Sequence, residues 1–186
     1  MANCIDYACN EDLGTHLQNL CGEELLGGSS AVVVLECNHQ LTDPSNATQI
    51  ATEIAAGRAT LVTGIKVGIA KPSPVEVESN VSCGTSKLVT YDRTGTYVDG
   101  NVNPANQTFY SKMFGGRTFG GLILYLCGTL ESDNGELVEW IDSAVTFTGG
   151  KVLPTGNNEF QRYESDFKWR KKAEASLHNA PLGIFS

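Results

Sequence analysis

The run from Leu88 to Cys127 narrows the choice of fold more than any other part of the chain. Residues 88 to 98 read as a strand or a hairpin turning around Asp92 to Gly95. Asn103 is placed to cap a helix whose first position is Pro104, where a missing N–H does no harm. Phe109 and Met113, and Tyr110 and Phe114, stand four apart and share a face. Gly115 and Gly116 stop that helix, and a second glycine pair precedes the apolar strand of residues 122 to 127. A short helix with aromatic residues on one side, set between strands, must bury that side against them. No residue set in this stretch performs chemistry, so it reads as packing material.

The flanking segments extend the pattern. Residues 10 to 26 can form a helix with Asn10 as N-cap and Leu13, Leu17 and Leu20 along one face. Residues 31 to 37, Ala-Val-Val-Val-Leu-Glu-Cys, form a β-branched run that reads as a strand buried on both faces. A second helix is predicted from Ser45 to Ala56, capped by Ser45 or Asp43, with Ala47, Ile50, Ala51 and Ile54 inward. In residues 60 to 70 the period becomes two, placing Leu61, Thr63, Ile65, Val67 and Ile69 on one strand face. Residues 71 to 74 read as a link, and Val75, Val77 and Val81 alternate with polar residues in a strand that has one wet face. Residues 137 to 147 and 159 to 169 read as two further strands joined through Gly149, Gly150 and Pro154, with Tyr163, Phe167 and Trp169 sharing a face.

These elements define a β-rich α+β class: a β-sandwich or barrel with two or three short helices. The predicted organisation is an acidic Cys-rich N-terminal segment, 1-57, packed on the main domain; a β-rich core domain, 58-172; and a C-terminal arm, 173-186. At 186 residues, 41% of them hydrophobic and 18% charged, the chain is ordered and long enough for a core without metal or disulfide staples.

Charge is unevenly distributed. The net charge of −8 disfavours non-specific binding to nucleic acid or to an anionic membrane. Eight acidic residues and no Lys or Arg occur in residues 1 to 57, whereas Arg162, Lys168, Arg170, Lys171 and Lys172 gather near the C-terminus. Opposed ends of this kind suit head-to-tail contact between copies. The interface candidates are Glu11, Asp12, Glu23 and Glu24; Lys168, Arg170, Lys171 and Lys172; and the apolar Ile184 and Phe185 of the tail. Phe109, Tyr110, Phe114, Trp140 and Trp169 read as core. No leader-like segment and no apolar run long enough to span a membrane is read from the sequence, and the sequons at Asn46, Asn80 and Asn106 read as coincidence.

Sites for chemistry are scarce. Cys4, Cys9, Cys21, Cys37 and His39 offer metal ligands, but the spacings are irregular and lack a Cys-X-X-Cys knuckle, so buried free thiols are the simpler reading. Nucleophilic catalysis would require His39 or His178 beside a nucleophile in a pocket, and no Gly-X-Ser-X-Gly signature surrounds a serine. The glycine pairs match neither a P-loop nor a dinucleotide fingerprint. The sequence therefore predicts no catalytic residue, no cofactor and no metal.

One resemblance bears on function. Cys-Gly-Thr at residues 83 to 85, Tyr-Asp-Arg-Thr-Gly-Thr-Tyr at 91 to 97, Asn-Pro-Ala-Asn-Gln-Thr-Phe-Tyr at 103 to 110, Phe-Thr-Gly-Gly at 147 to 150 and Asp-Phe-Lys-Trp at 166 to 169 occur in an order that resembles virion structural proteins of tailed bacteriophages. Within that group the element order is similar to tail tube proteins, and a capsid auxiliary or decoration protein would share the same β-rich character. The resemblance implies a non-catalytic subunit of the virion, assembled in the host cytoplasm. Its partners would be itself and other virion proteins, with no specific nucleic-acid binding and no membrane. Tube subunits extend one ring's sheet into the next, which requires complementary ends. A reading from another class is a ligand- or carbohydrate-binding β-sandwich that exposes Tyr91, Tyr97 or Trp140 as a stacking platform.

Overall fold

The computed structural model describes residues 29–79, 86–126, 137–156, 160–171 and 174–180. The helix predicted over residues 10 to 26 lies outside them. Ten strands and two helices follow in the order β1 (Ser29–Leu35), α1 (Ala47–Ala55), β2 (Ala59–Ile69), β3 (Ser73–Ser79), β4 (Ser86–Asp99), α2 (Pro104–Met113), β5 (Gly115–Phe119), β6 (Gly121–Leu126), β7 (Leu137–Ile141), β8 (Val145–Val152), β9 (Arg162–Arg170) and β10 (Ser176–Asn179). The chain is β-rich, as its sequence predicts. The strands join in the order β10-β7-β6-β1-β2-β4-β9-β8-β5, with β3 attached to β4, and the pairings are antiparallel.

That path closes on itself. Only Gly120 separates β5 from β6, and the ladder that sets Leu122 opposite Ile141 continues on the far side of the corner with Phe119 opposite Val145. Strands β5 and β6 are therefore two halves of one bent strand, as are β7 and β8. Because β6 also pairs with β1 and β8 with β9, the ring β1, β2, β4, β9, β8/β7, β6/β5 is complete. Strand β1, which precedes residue 58, is one of its six members. Closure leaves these six strands without an edge.

The ring's interior is one hydrophobic cluster. It takes Val32 and Val34 from β1, Ile65 and Val67 from β2, Tyr97 from β4, Phe147 from β8 and Phe167 and Trp169 from β9. Helix α2 adds Phe109, Tyr110 and Met113, the face its four-residue spacing predicts. Its start is also the predicted one: the Asn103 side chain accepts the Asn106 N–H at 2.8 Å and Pro104 follows directly. A smaller cluster lies on the outside, where Ile50 of α1 covers Ala31, Val33 and Leu35 of β1. This second cover is why β1 is buried on both faces. The α1 cap is Asn46, whose side chain accepts the Gln49 N–H at 3.0 Å, one residue beyond the predicted Ser45.

Several predicted details change for local reasons. Residues 92 to 95 form no turn, since β4 runs unbroken for 14 residues. Gly95 is there for space: a Cβ on it would lie 2.1 Å from Cζ of Phe167 in the neighbouring strand. In β2 the single apolar face does not persist. Val62, Ile65 and Val67 point into the ring while Leu61 packs on the outer cluster. The pairing with β1 slips between Ala31 opposite Thr63 and Ser29 opposite Val67, and Gly64 at the slip has φ 71°, a left-handed value suited to a bulge. Residues 137 to 147 are split between β7 and β8, and β8 runs through Gly149 and Gly150, which do not break it. Part of the tail docks on its own sheet, with residues 176 to 179 pairing along β7.

At the closing corner the Gly120 N–H donates to the Leu35 carbonyl at 2.9 Å. A Cβ on Gly120 would lie 2.3 Å from the His39 carbonyl oxygen and 2.6 Å from that of Glu36, both backbone atoms that cannot swing aside. Gly120→Ala should therefore lower unfolding free energy by about 2 kcal/mol or more. Gly150→Ala, whose Cβ would meet nothing within 4 Å, should change it little. Urea titrations of the two variants test the pair.

Candidate functional site

The feature of the fold that the ring does not account for is the first half of β4. Residues Asp92–Asp99 pair with β9 and Gly95–Asp99 with β2, but Ser86 to Tyr91 pair only with β3 among the described strands. The two form a ribbon of seven rungs, from Ser73 opposite Asp92 to Ser79 opposite Ser86. At ~3.3 Å per residue it extends roughly 20 Å beyond the ring. Its register sets Val75 opposite Thr90, Val77 opposite Leu88 and Glu78 opposite Lys87. The outer edge of β3 has no strand beside it among the described residues, and Pro74 sits in that strand, where an edge tolerates a missing N–H. A two-stranded ribbon on its own is marginal in water.

The base of this arm gathers charge. On the rung where Asp92 meets Arg170, the guanidinium donates to both carboxylate oxygens, Nε to Oδ1 at 2.5 Å and Nη2 to Oδ2 at 3.1 Å. Those hydrogen bonds hold the Asp92 carboxyl below its ordinary range and raise Arg170. One residue on, Lys171 pairs with Asp142. Lys168 is exposed on β9, opposite Thr94 and Thr146. A groove of about 410 Å³ runs beside it, and its walls include Arg93, Thr146, Trp169 and Arg170. Arg93 is 6% exposed, its guanidinium lies 5.5 Å from the centre of the Tyr91 ring, and its Nε has no hydrogen-bond partner.

The basic candidates Lys168, Arg170 and Lys171 thus come together at one end of the ring, though Arg170 and Lys171 are answered by carboxylates of their own chain. Glu11, Asp12, Glu23, Glu24, Lys172, Ile184 and Phe185 lie outside the described residues. Arg93 was missed because residues 92 to 95 read as a turn. Strand alternation with Tyr97 and Asp99 would have placed it on the inner face.

The ring interior carries a second polar arrangement. Tyr110 donates to Asp99 Oδ2 at 2.5 Å, and the Tyr97 and Tyr110 hydroxyl oxygens are 2.6 Å apart. With the Tyr110 proton directed at Asp99, Tyr97 is the donor to Tyr110. Burial, more than any other cause, raises both phenols, and the Asp99 charge adds to it. Tyr97, at 1% exposure, is therefore no stacking platform. Trp140 is half-buried against the outer cluster with its ring edge-on to His178, 5.7 Å between centres. His178 Nε2 lies 2.9 Å from Ser176 Oγ, both on the edge strand β10, where Ser176 is exposed.

Glu139 on β7 has its pKa raised, chiefly by desolvation and then by the Glu174 charge, with Arg93 acting in the opposite direction. Cys37 is disulfide-bonded, which corrects the free-thiol reading at that position; its partner lies outside the described residues. Among the described residues no three His, Cys, Asp or Glu side chains are grouped to hold a metal ion, and no described helix is long and apolar enough to cross a membrane. Comparison of the chain with protein families, curated proteins and solved structures finds no match.

Two substitutions probe these groups. Tyr110→Phe leaves the buried Asp99 carboxylate short of a donor and Tyr97 without its acceptor, so it should cost about 1–3 kcal/mol by urea unfolding. Glu139 is easier to protonate in the fold than its ordinary value of 4.5. Its favourable contribution is therefore complete below that value and lost as pH rises through the folded pKa. Glu139→Gln should accordingly gain stability over the parent protein at pH 7 and lose the advantage at pH 4, read from melting temperatures at both.

Proposed function

We propose that this chain is a non-catalytic, self-assembling structural subunit, tail-tube-like in a bacteriophage particle, and that the β3–β4 arm is the element through which one copy engages the next. The observation that carries the reading is the arm itself: a two-stranded ribbon whose strand β3 has no further strand beside it among the described residues. Unpaired strand edges recruit further strands, and natural proteins that do not use such an edge keep it short or covered. The resemblance to tail tube proteins adds that such subunits extend one ring's sheet into the next.

Charge plays a smaller part than the sequence suggests. Arg170 and Lys171 are paired with Asp92 and Asp142, which leaves Lys168 and the groove around Arg93 as the positive feature beside the arm. Backbone pairing is then the principal attraction, with acidic groups of a neighbour meeting this groove as an added contact.

Light scattering over a concentration series, with negative-stain images of the same samples, tests the proposal. The full chain should form rings, tubes or other large species that persist in 1 M salt, a condition that screens exposed charges beyond ~3 Å. A variant with residues 75 to 90 replaced by a short Gly-Ser turn should keep its melting behaviour and remain monomeric. A full chain that is monomeric throughout would overturn self-assembly and favour a decoration protein that binds a preformed lattice.

A further inference from the structure

At the end of the ring opposite the arm, α2 and the paired strands β8 and β9 enclose a cleft of about 230 Å³. Its lining includes Gln107, Tyr110, Ser111, Phe114, Lys151 and Tyr163. We infer that this cleft is a binding site for a small aromatic carboxylate, with Lys151 and Tyr163 meeting the carboxylate and Tyr110 and Phe114 walling the ring.

The size suits such a ligand. A dry cavity of ~150 Å³ accepts benzene, so the cleft has room for one ring and one carboxylate. The walls are aromatic and mutually braced: Tyr110 stacks on Phe114 with centres 4.9 Å apart and planes at 22°, and Tyr163 lies 4.3 Å from Tyr110. Rings held in this way present fixed faces and edges to a flat guest.

The polar groups define the rest of the ligand. Tyr163 is 3% exposed and its hydroxyl has no hydrogen-bond partner among the described residues. Buried hydroxyls are nearly always satisfied, so an exception in a cleft marks a place for a missing acceptor. Burial and the nearby Asp99 charge raise the Tyr163 pKa, so the hydroxyl keeps its proton at neutral pH and can donate. Tyr110 contributes its ring alone, because its hydroxyl is already engaged with Asp99 and Tyr97. Lys151 faces Tyr163 across the β8–β9 rung and is exposed at the cleft mouth. Asp99 faces Tyr163 from the other side on β4, so an anionic group is directed toward the lysine. One phenol donor, one ammonium and aromatic walls together select a flat anion that accepts hydrogen bonds.

The proposal does not rest on the assembly reading, and its test uses the full chain. Benzoate is the probe, with benzamide and cyclohexanecarboxylate as controls, followed by saturation-transfer NMR and titration of the protein signals. Benzoate should bind, benzamide roughly tenfold more weakly for want of charge, and cyclohexanecarboxylate more weakly for want of a flat ring. Tyr163→Phe removes a hydroxyl that bonds to nothing among the described residues, so it should keep its melting temperature and weaken benzoate roughly fivefold to tenfold. Lys151→Gln should weaken benzoate while leaving benzamide unchanged. No saturation transfer to benzoate at millimolar concentration, or equal binding by the parent protein and both variants, would overturn the assignment.

Discussion

The ring depends on the approach of two backbones at Gly120. There β5 turns into β6 against the carbonyls of Glu36 and His39 at the end of β1, closer than any side chain would allow. If β5 and β6 were two independent strands, the sheet would end at β5 on one side and at β10 on the other, and the aromatic interior would open to water. The same corner holds a buried ion pair, Arg117 with Glu36, whose side chains are 3% and 6% exposed. Arg117 also lies over the Phe119 ring at 5.4 Å. A buried pair of this kind adds little net stability over apolar residues, but removing either partner is costly, so it fixes β5 against the end of β1 in one arrangement. Glu36, which counts toward the acidic N-terminal third by sequence, is thus a structural residue.

Much of the fold is legible because it obeys local rules. Asn103, Pro104 and the four-residue aromatic spacing specify α2, and β-branched Val32 to Val34 specify β1. The parts that were not legible depend on distant neighbours. Strand β5, Gly-Gly-Arg-Thr-Phe, has only one large apolar residue and two glycines that read as a stop; its identity as a strand comes from pairing with β8. Gly95 resembles a turn residue until Phe167 is seen beside it, and Gly64 resembles an ordinary strand glycine until the slip against β1 appears. In each case the glycine answers a tertiary contact that a single sequence does not display.

The candidate site divides similarly. Clustering of Lys168 and Arg170 on β9 with Lys171 just beyond it follows from their spacing, but the pairing of Arg170 with Asp92 and of Lys171 with Asp142 follows from the sheet register and from the turn before β8. Arg93, Tyr163 and Lys151 carried no motif. What singles out Arg93 and Tyr163 is the combination of burial, an unpartnered polar atom and a cavity, and Lys151 is marked by its exposed place beside Tyr163 at the cleft. Linear sequence records none of these three directly.

Strand β4 links the two functional regions while keeping them apart. Its first half is one side of the arm, and its second half brings Tyr97 and Asp99 into the ring interior. From Asp92 at the arm base to Asp99 is seven residues, a distance of roughly 20 Å along an extended strand. Contacts made by the arm with another copy therefore leave the cleft under α2 uncovered by the same surface. The rungs between them, Gly95 against Phe167 and Tyr97 against Ser165, are part of the closed ring. The proposed assembly through the arm and the proposed ligand capture in the cleft therefore call on separate surfaces of one scaffold, so a variant that removes one is expected to leave the other.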